Sequence, residues 1–253
     1  MAGLALFNLR VLCYNEAKGG DEMVYVTGDI HGDPGRILWF CECKQLTQED
    51  VIVLLGDVAA NYDFGPRDEW VKDRLSKVLP TVLCIHGNHE ARPETVIGYQ
   101  QMQWRGGAVY YQSQYPNLLF AKDGEIYSLA GRRCMAIGGA YSVDKQYRVG
   151  RGWPWFADEQ PSEQIKAYVE RQLAENQVDV VFSHTCPDRY KPVECFLSGI
   201  NQACVDDSTE RWLGALEQRI AYDAWYCGHW HINKRIDKIH FLFEGYELLE
   251  SKA

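Results

Sequence analysis

Five apolar, β-rich runs scattered between residues 24 and 227 each break off into a turn that carries Asp, Asn or His. Val24–Thr27 runs into Gly28-Asp29-Ile30-His31-Gly32, and Val51–Leu55 into Gly56-Asp57. Thr81–Ile85 leads to Gly87-Asn88-His89-Glu90, Val178–Phe182 to His184, and Ala224–Cys227 to Gly228-His229-Trp230-His231. Short continuous apolar runs are the pattern of strands buried on both faces, which parallel sheets covered by helices require. Helical segments lie between them. Asp33-Pro34 opens one that runs to about Leu46, and another spans about Pro66 to Val78. Strand, turn and helix in repetition predict an α/β sheet.

The middle of the chain changes character. Val109–Tyr111, Glu125–Leu129 and Cys134–Ile137 are punctuated by Pro116-Asn117, Asp123-Gly124 and Gly131, which are hairpin signals. Gly150 to Gln160 reads as an aromatic loop, and Pro161-Ser162-Glu163 opens a helix to about Glu175. Pro187 to Asp207 has little periodicity and reads as an irregular excursion. Ser208 begins a helix to about Tyr222, and two more β-runs follow Cys227. Without an internal repeat or linker, residues 23–253 read as one domain. Residues 1–22 read as an extension outside it. Lys18-Gly19-Gly20 fits a purine-rich run just upstream of Met23, so Met23 is the expected natural start. N-terminal sequencing of the natively expressed protein tests this, and a product beginning at Met1 or Ala2 contradicts it.

A formal charge of -9 disfavours non-specific binding to duplex nucleic acid or anionic membrane. No run approaches the ~20 apolar residues of a membrane span. Nine cysteines, an odd number with no CxxC pair, read as reduced thiols of a cytoplasmic protein.

Of seven histidines, five sit in the strand-end turns. Alternation puts Asp29 and His31 on one side of an extended segment. Asp57 stands where ligands bind on parallel sheets and can share its two oxygens between cations. Asn88 can offer an amide oxygen, His89 can stand by as a proton donor, and His229 and His231 form an i, i+2 imidazole pair. Taken singly, the turns at Asp29, Asp57 and His184 read more readily as ordinary turns or structural residues, and the Asn88-His89 turn equally well as a helix cap. Their conjunction is what carries weight, because carboxylate oxygen, imidazole and amide oxygen together suit a pair of divalent cations.

In that order the turns resemble the calcineurin-like metallophosphoesterases, whose motifs are GDxHG, GD, GNH[DE], H and GHxH. The resemblance spans residues 24 to 243. It implies a four-layer α/β/β/α sandwich of two mixed sheets flanked by helices. It implies one metal on Asp29, His31, Asp57 and His231 and a second on Asp57, Asn88, His184 and His229. Two divalent ions about 3.5–4 Å apart would supply a bridging hydroxide for in-line attack on phosphorus, with His89 protonating the leaving group. Mn2+ stands first among the candidate ions, and Fe, Zn2+ and Ni2+ also suit the donors.

The implied activity is hydrolysis of a phosphomono- or phosphodiester, with a small phosphoester or nucleotide as substrate. Ser/Thr protein phosphatases of this family carry GDxxDRG at the second motif. Here Ala60 stands in place of the carboxylate that supports the catalytic histidine, and Asn61 in place of the phosphate-gripping Arg. Asn61, Lys145 and Arg148 are therefore the candidate substrate contacts, and Trp153, Trp155 and Phe156 a candidate stacking surface. His86 and His240 read as structural. Two alternatives remain: a Ser/Thr protein phosphatase-like activity, whose GNHE motif this chain shares, and a non-catalytic interaction module on the same fold, opposed by the filled ligand positions. An amidohydrolase barrel would need eight β/α units, which the hairpin-rich middle does not supply.

Overall fold

The computed structural model describes residues 22–252. The expected extension, apart from Glu22, lies outside the described residues. Strands β1 (Val24–Thr27), β2 (Val51–Leu54) and β3 (Thr81–Cys84) are almost wholly buried and pair in parallel, with Val24 opposite Val51 and Ile52 opposite Val82. Between them run helices α1 (Gly35–Lys44) and α2 (Pro66–Leu75). Pro34 itself occupies the α1 cap position. Asp33 serves the turn by accepting a hydrogen bond from the Gly35 amide at 3.0 Å. Pro66 opens α2 with Asp68 and Glu69 in its first turn, where carboxylates suit the helix dipole. Both helices end earlier than their apolar spacing predicts. Gln45 turns left-handed after α1.

The hairpin region yields five strands: β4 (Gln100–Trp104), β5 (Gly107–Tyr111), β6 (Leu118–Ala121), β7 (Ile126–Leu129) and β8 (Arg132–Ile137). A short helix, α3 (Lys145–Gly150), precedes the aromatic loop. Helix α4 (Glu163–Glu175) is capped by Ser162, whose hydroxyl accepts from the Ile165 amide at 3.3 Å. Then come β9 (Val180–Ser183), α5 (Ser208–Glu217), β10 (Ala224–Cys227), β11 (Lys234–Ile236), β12 (Ile239–Phe241) and β13 (Tyr246–Leu248).

Two mixed sheets result, ordered β13-β1-β2-β3-β6-β5-β4 and β11-β12-β10-β9-β8-β7. Val26, Val53 and Leu83 of the first face Ala136, Val180 and Phe182 of the second in one shared core. The outer face of the first sheet packs on α1 and α2 through Ile52, Leu54, Ile37 and Val71. The second packs on α4 and α5 through Val181, Trp225, Val169 and Leu213. The layers are therefore helix, sheet, sheet, helix, as the resemblance implies. Among the described residues no helix is long and apolar enough to cross a membrane, and the eight described cysteines are free thiols.

This architecture decides where chemistry can gather. β1, β2 and β3 run parallel in one sheet, and β9 and β10 run parallel in the other. All five deliver their following turns toward the same site.

Candidate metal centre

Asp29 and His31 follow β1, Asp57 follows β2, Asn88 and His89 follow β3, His184 follows β9, and His229 and His231 follow β10. The structure brings all eight together. Backbone bonds tie the turns to one another: the His31 amide donates to the Asp57 carbonyl at 2.8 Å, and Gly228 to His184 at 3.0 Å. The carboxylates are tied in the same way. Asp57 Oδ1 accepts from the His89 amide at 2.8 Å, and Asp29 Oδ1 from the His229 amide at 3.0 Å.

Side-chain donor atoms then crowd into two overlapping groups. His231 Nε2 lies 3.4 Å and His31 Nε2 3.9 Å from Asp29 Oδ2, and the two ring nitrogens are 2.8 Å apart. His31 Nε2 is also 4.0 Å from Asp57 Oδ2. On the other side, His184 Nε2 stands 3.6 Å from Asp57 Oδ1 and 2.8 Å from Asn88 Oδ1. Ligand atoms of Asp29, His31 and His231 all fall within 4.8 Å of one another, and so do those of Asp29, Asp57 and His184. The His229 ring sits beside His184, with centroids 5.0 Å apart.

These donors fit cations better than they fit each other. His184 Nδ1 faces the Leu55 carbonyl at 2.7 Å, and a carbonyl only accepts, so Nδ1 carries the proton. Asn88 donates its amide nitrogen to Ser142 Oγ at 2.9 Å, which turns its oxygen toward His184. Two lone pairs then confront each other at 2.8 Å unless a proton or a metal lies between them. A ligating imidazole that donates its other N–H to a backbone carbonyl is the usual support for a bound metal. The charge balance agrees. Asp29 and Asp57 are buried, and among the described residues their ion-pair partners are all histidines. Buried carboxylates without Lys or Arg need another positive partner.

The backbone is strained to make this possible. His31, Asp57, His229 and His231 all have left-handed φ, between 46° and 65°. Such conformations cost energy in residues with a Cβ and cluster where function demands them. Two glycines keep the space clear. A Cβ on Gly87 would sit 2.1 Å from Asp57 Oδ1, and one on Gly228 2.3 Å from Asp29 Oδ1. The glycine before each pair of site residues thus leaves room for the carboxylate from another strand.

Protonation follows from the surroundings. Burial raises the Asp57 carboxyl, but His184, His89 and His31 outweigh it and hold the group below the usual carboxylate range. Burial and the neighbouring His184 push the His229 ring down to about 3. For His184, burial is outweighed by Asp57 and Asp29, which raise it. The hydrogen bond to Asp29 raises His231. Burial lowers His89, against the pull of Asp57. Glu90 is pushed up to about 7 by burial and by Asp57, and accepts from the Gly87 and Val58 amides.

The candidate substrate contacts fare differently. Asn61 is buried, its oxygen accepts from the Tyr99 hydroxyl at 2.8 Å, and it does not line the cavity over the site. Four residues beyond Asp57, it is held under the turn rather than in the cavity. Lys145 Nζ sits 3.7 Å over the Trp155 ring, outside the cavity lining. Arg148 is buried, donating to the Pro154 carbonyl at 2.9 Å and to Ser142 Oγ at 3.2 Å. It braces Ser142, and through it Asn88. Of the loop aromatics, Trp155 donates to Glu159 at 2.8 Å, Trp153 meets Tyr147 edge-on and stays half exposed, and Phe156 meets Phe64. His86 and His240 are buried and belong to neither group of clustered ligand atoms.

One residue escaped the sequence reading. Asp144 Oδ1 lies 3.9 Å from His89 Nε2 and 3.8 Å from Arg148 Nη1. It stands in the loop after β8 and brings a carboxylate near the His89 ring, beyond hydrogen-bond distance. Nothing in its local sequence marks it.

A site of this make, on two stacked mixed sheets, defines a metal-binding hydrolase of phosphate esters. Residues 23–233 match the family model described as calcineurin-like phosphoesterase, and the chain belongs to that family. It is, in general terms, a metal-dependent phosphoesterase. Among solved structures it is similar to the phosphopantetheinyl hydrolase PptH from Mycobacterium tuberculosis, with 14% identity over 89% of each chain and a TM-score of 0.37. It is also similar to a protein of unknown function, AQ665, from Aquifex aeolicus, with 14% identity over 80% of this chain and 88% of that one and a TM-score of 0.31. A comparison with curated proteins finds no match.

Proposed function

We propose that the chain hydrolyses a small phosphomonoester or phosphodiester at a pair of divalent cations, Mn2+ foremost. Asp29, His31, Asp57 and His231 hold one ion, and Asp57, Asn88, His184 and His229 hold the other. The observation that carries this reading is the convergence of ligand atoms from Asp29, His31 and His231, and from Asp29, Asp57 and His184, each group within 4.8 Å. When bound, the cations polarise phosphoryl oxygens and lower the pKa of water.

The remaining work falls to the protein's own groups. Asp57 presents one oxygen toward each half of the cluster, Oδ2 toward His31 and Oδ1 toward His184. His89 lines the cavity beside the cluster and donates a proton to the departing alkoxide. Asp144, 3.9 Å from His89 Nε2, favours the protonated ring through its charge. Ser142, held by Arg148, keeps the Asn88 oxygen turned inward.

Metal analysis of the purified protein, together with turnover of p-nitrophenyl phosphate and bis-p-nitrophenyl phosphate, tests the reading. Two ions per chain and hydrolysis of at least one ester are expected. Protein loaded with Mn2+ that leaves both esters intact overturns it.

A further inference from the structure

Over the metal centre lies a cavity of about 520 Å³, within the roughly 300–1,000 Å³ typical of small-molecule sites. Its floor is the polar cluster. Its wall is apolar: Phe196, Leu197, Ile200 and Val205 from the irregular span 187–207, with Val143 and Trp230 beside them. The span holds only three single turns of 3-10 helix, so it makes no sheet or helix that would need these side chains. Leu197 is 61% and Val143 38% exposed, apolar groups left in water next to a charged floor. Grouped apolar exposure of that kind marks a binding surface. Phe196 and Trp230 stack with centroids 5.9 Å apart and planes 25° from parallel, a flat plate.

The charges narrow the ligand further. Lys191 is the one Lys or Arg among the lining residues, and Asp207 already takes it at 2.7 Å. Asp144, Asp207 and Glu210 also line the cavity. A second phosphate, a polyphosphate or an acidic peptide would meet carboxylates there and no free cation.

We propose that the span 187–207 is the specificity wall of this site and selects phosphoesters with one phosphoryl group and an apolar, aromatic leaving alcohol. The proposal rests on the phosphoesterase reading above and goes on to name its substrate class.

The test uses phenyl, 4-ethylphenyl and 4-butylphenyl phosphates, whose leaving groups differ in apolar area but hardly in basicity. A fully buried methylene is worth about fourfold in affinity, so kcat/KM should climb about tenfold or more from phenyl to butylphenyl. Leu197→Asp and Ile200→Asp should flatten that climb. Ile97→Asp, the same change at a residue 97% exposed outside this cavity, should leave it intact. Calorimetric titration of the matching non-hydrolysable arylphosphonates should show the same gradient in Kd. A flat titration series, or wall variants that keep the gradient, overturns the proposal even where the esters are cleaved. Failure to cleave any ester, with a steep titration gradient, overturns the reading of the reaction and leaves the wall standing.

Discussion

The carboxylate of Asp144 lies 3.9 Å from Nε2 of His89, and both residues line the cavity over the metal centre. The two come from different sheets, His89 after β3 and Asp144 after β8. Asp144→Asn removes the charge and keeps the shape. It should lower kcat on an ester with a poor leaving group about tenfold, with metal content unchanged. His89→Ala should cost on the order of 10²–10⁴ on the same ester. Both losses should shrink for p-nitrophenolate, which needs no proton to leave. Equal losses on good and poor leaving groups would contradict the assignment.

Gly87 and Gly228 should tolerate no side chain. An added Cβ at Gly87 would fall 2.1 Å from both the backbone nitrogen and Oδ1 of Asp57, and one at Gly228 2.3 Å from Asp29 Oδ1 and 3.0 Å from the Leu55 carbonyl oxygen. Gly87→Ala and Gly228→Ala should therefore each displace a carboxylate and lose bound metal. Both sheets should stay folded, since the clash lies in the turns. Metal analysis beside far-UV circular dichroism separates the two effects, and full metal content in either variant contradicts the geometry.

How much of this was legible beforehand depends on locality. The strand-end residues could be read because each follows its own apolar run, and a turn between strand and helix exposes its side chains at the sheet edge. β4, with the sequence Gln-Gln-Met-Gln-Trp, escaped because only Met102 and Trp104 of this edge strand pack on the core, too short an alternation to stand out. The placement of Asn61 was not legible either: Asp57, four residues earlier, points into the site while Asn61 is buried against Tyr99. Asp144 was invisible for the opposite reason: its partner is 55 residues away, and no period or motif links them. The left-handed backbone of His31, Asp57, His229 and His231 was equally hidden, since nothing local favours it.

Removing metal should destabilise the fold. Without it, Asp29 and Asp57 stay buried with only histidines for partners. A ligand present at 100 times its Kd contributes about 2.7 kcal/mol. For a chain of this size that corresponds to roughly 5–10 °C in Tm. Calorimetry with and without a chelator measures it. An unchanged Tm would show that the cluster holds no tightly bound ion.

Alkali should weaken the fold in a defined window. Burial pushes the Cys41 thiol up to about 12 from 9.0 and the Tyr246 hydroxyl to about 12 from 10.0. Both groups keep their protons longer folded than unfolded. Their contribution is complete below pH 9 and fades as pH climbs toward 12. With one pKa unit worth about 1.36 kcal/mol, the two groups give up about three units by pH 11, a loss of roughly 4 kcal/mol before any screening by solvent. Urea unfolding from pH 8 to 11 checks this, and Tyr246→Phe should reduce the slope. A stability that rises across that range contradicts the burial of both groups.

The most direct measurement is anomalous diffraction from crystals of the protein grown with manganese. Two peaks are predicted, with Asp57 bound to both, His31 and His231 on one, and Asn88 and His184 on the other. An empty cluster, or ions held elsewhere while these side chains keep their present contacts, would contradict the account.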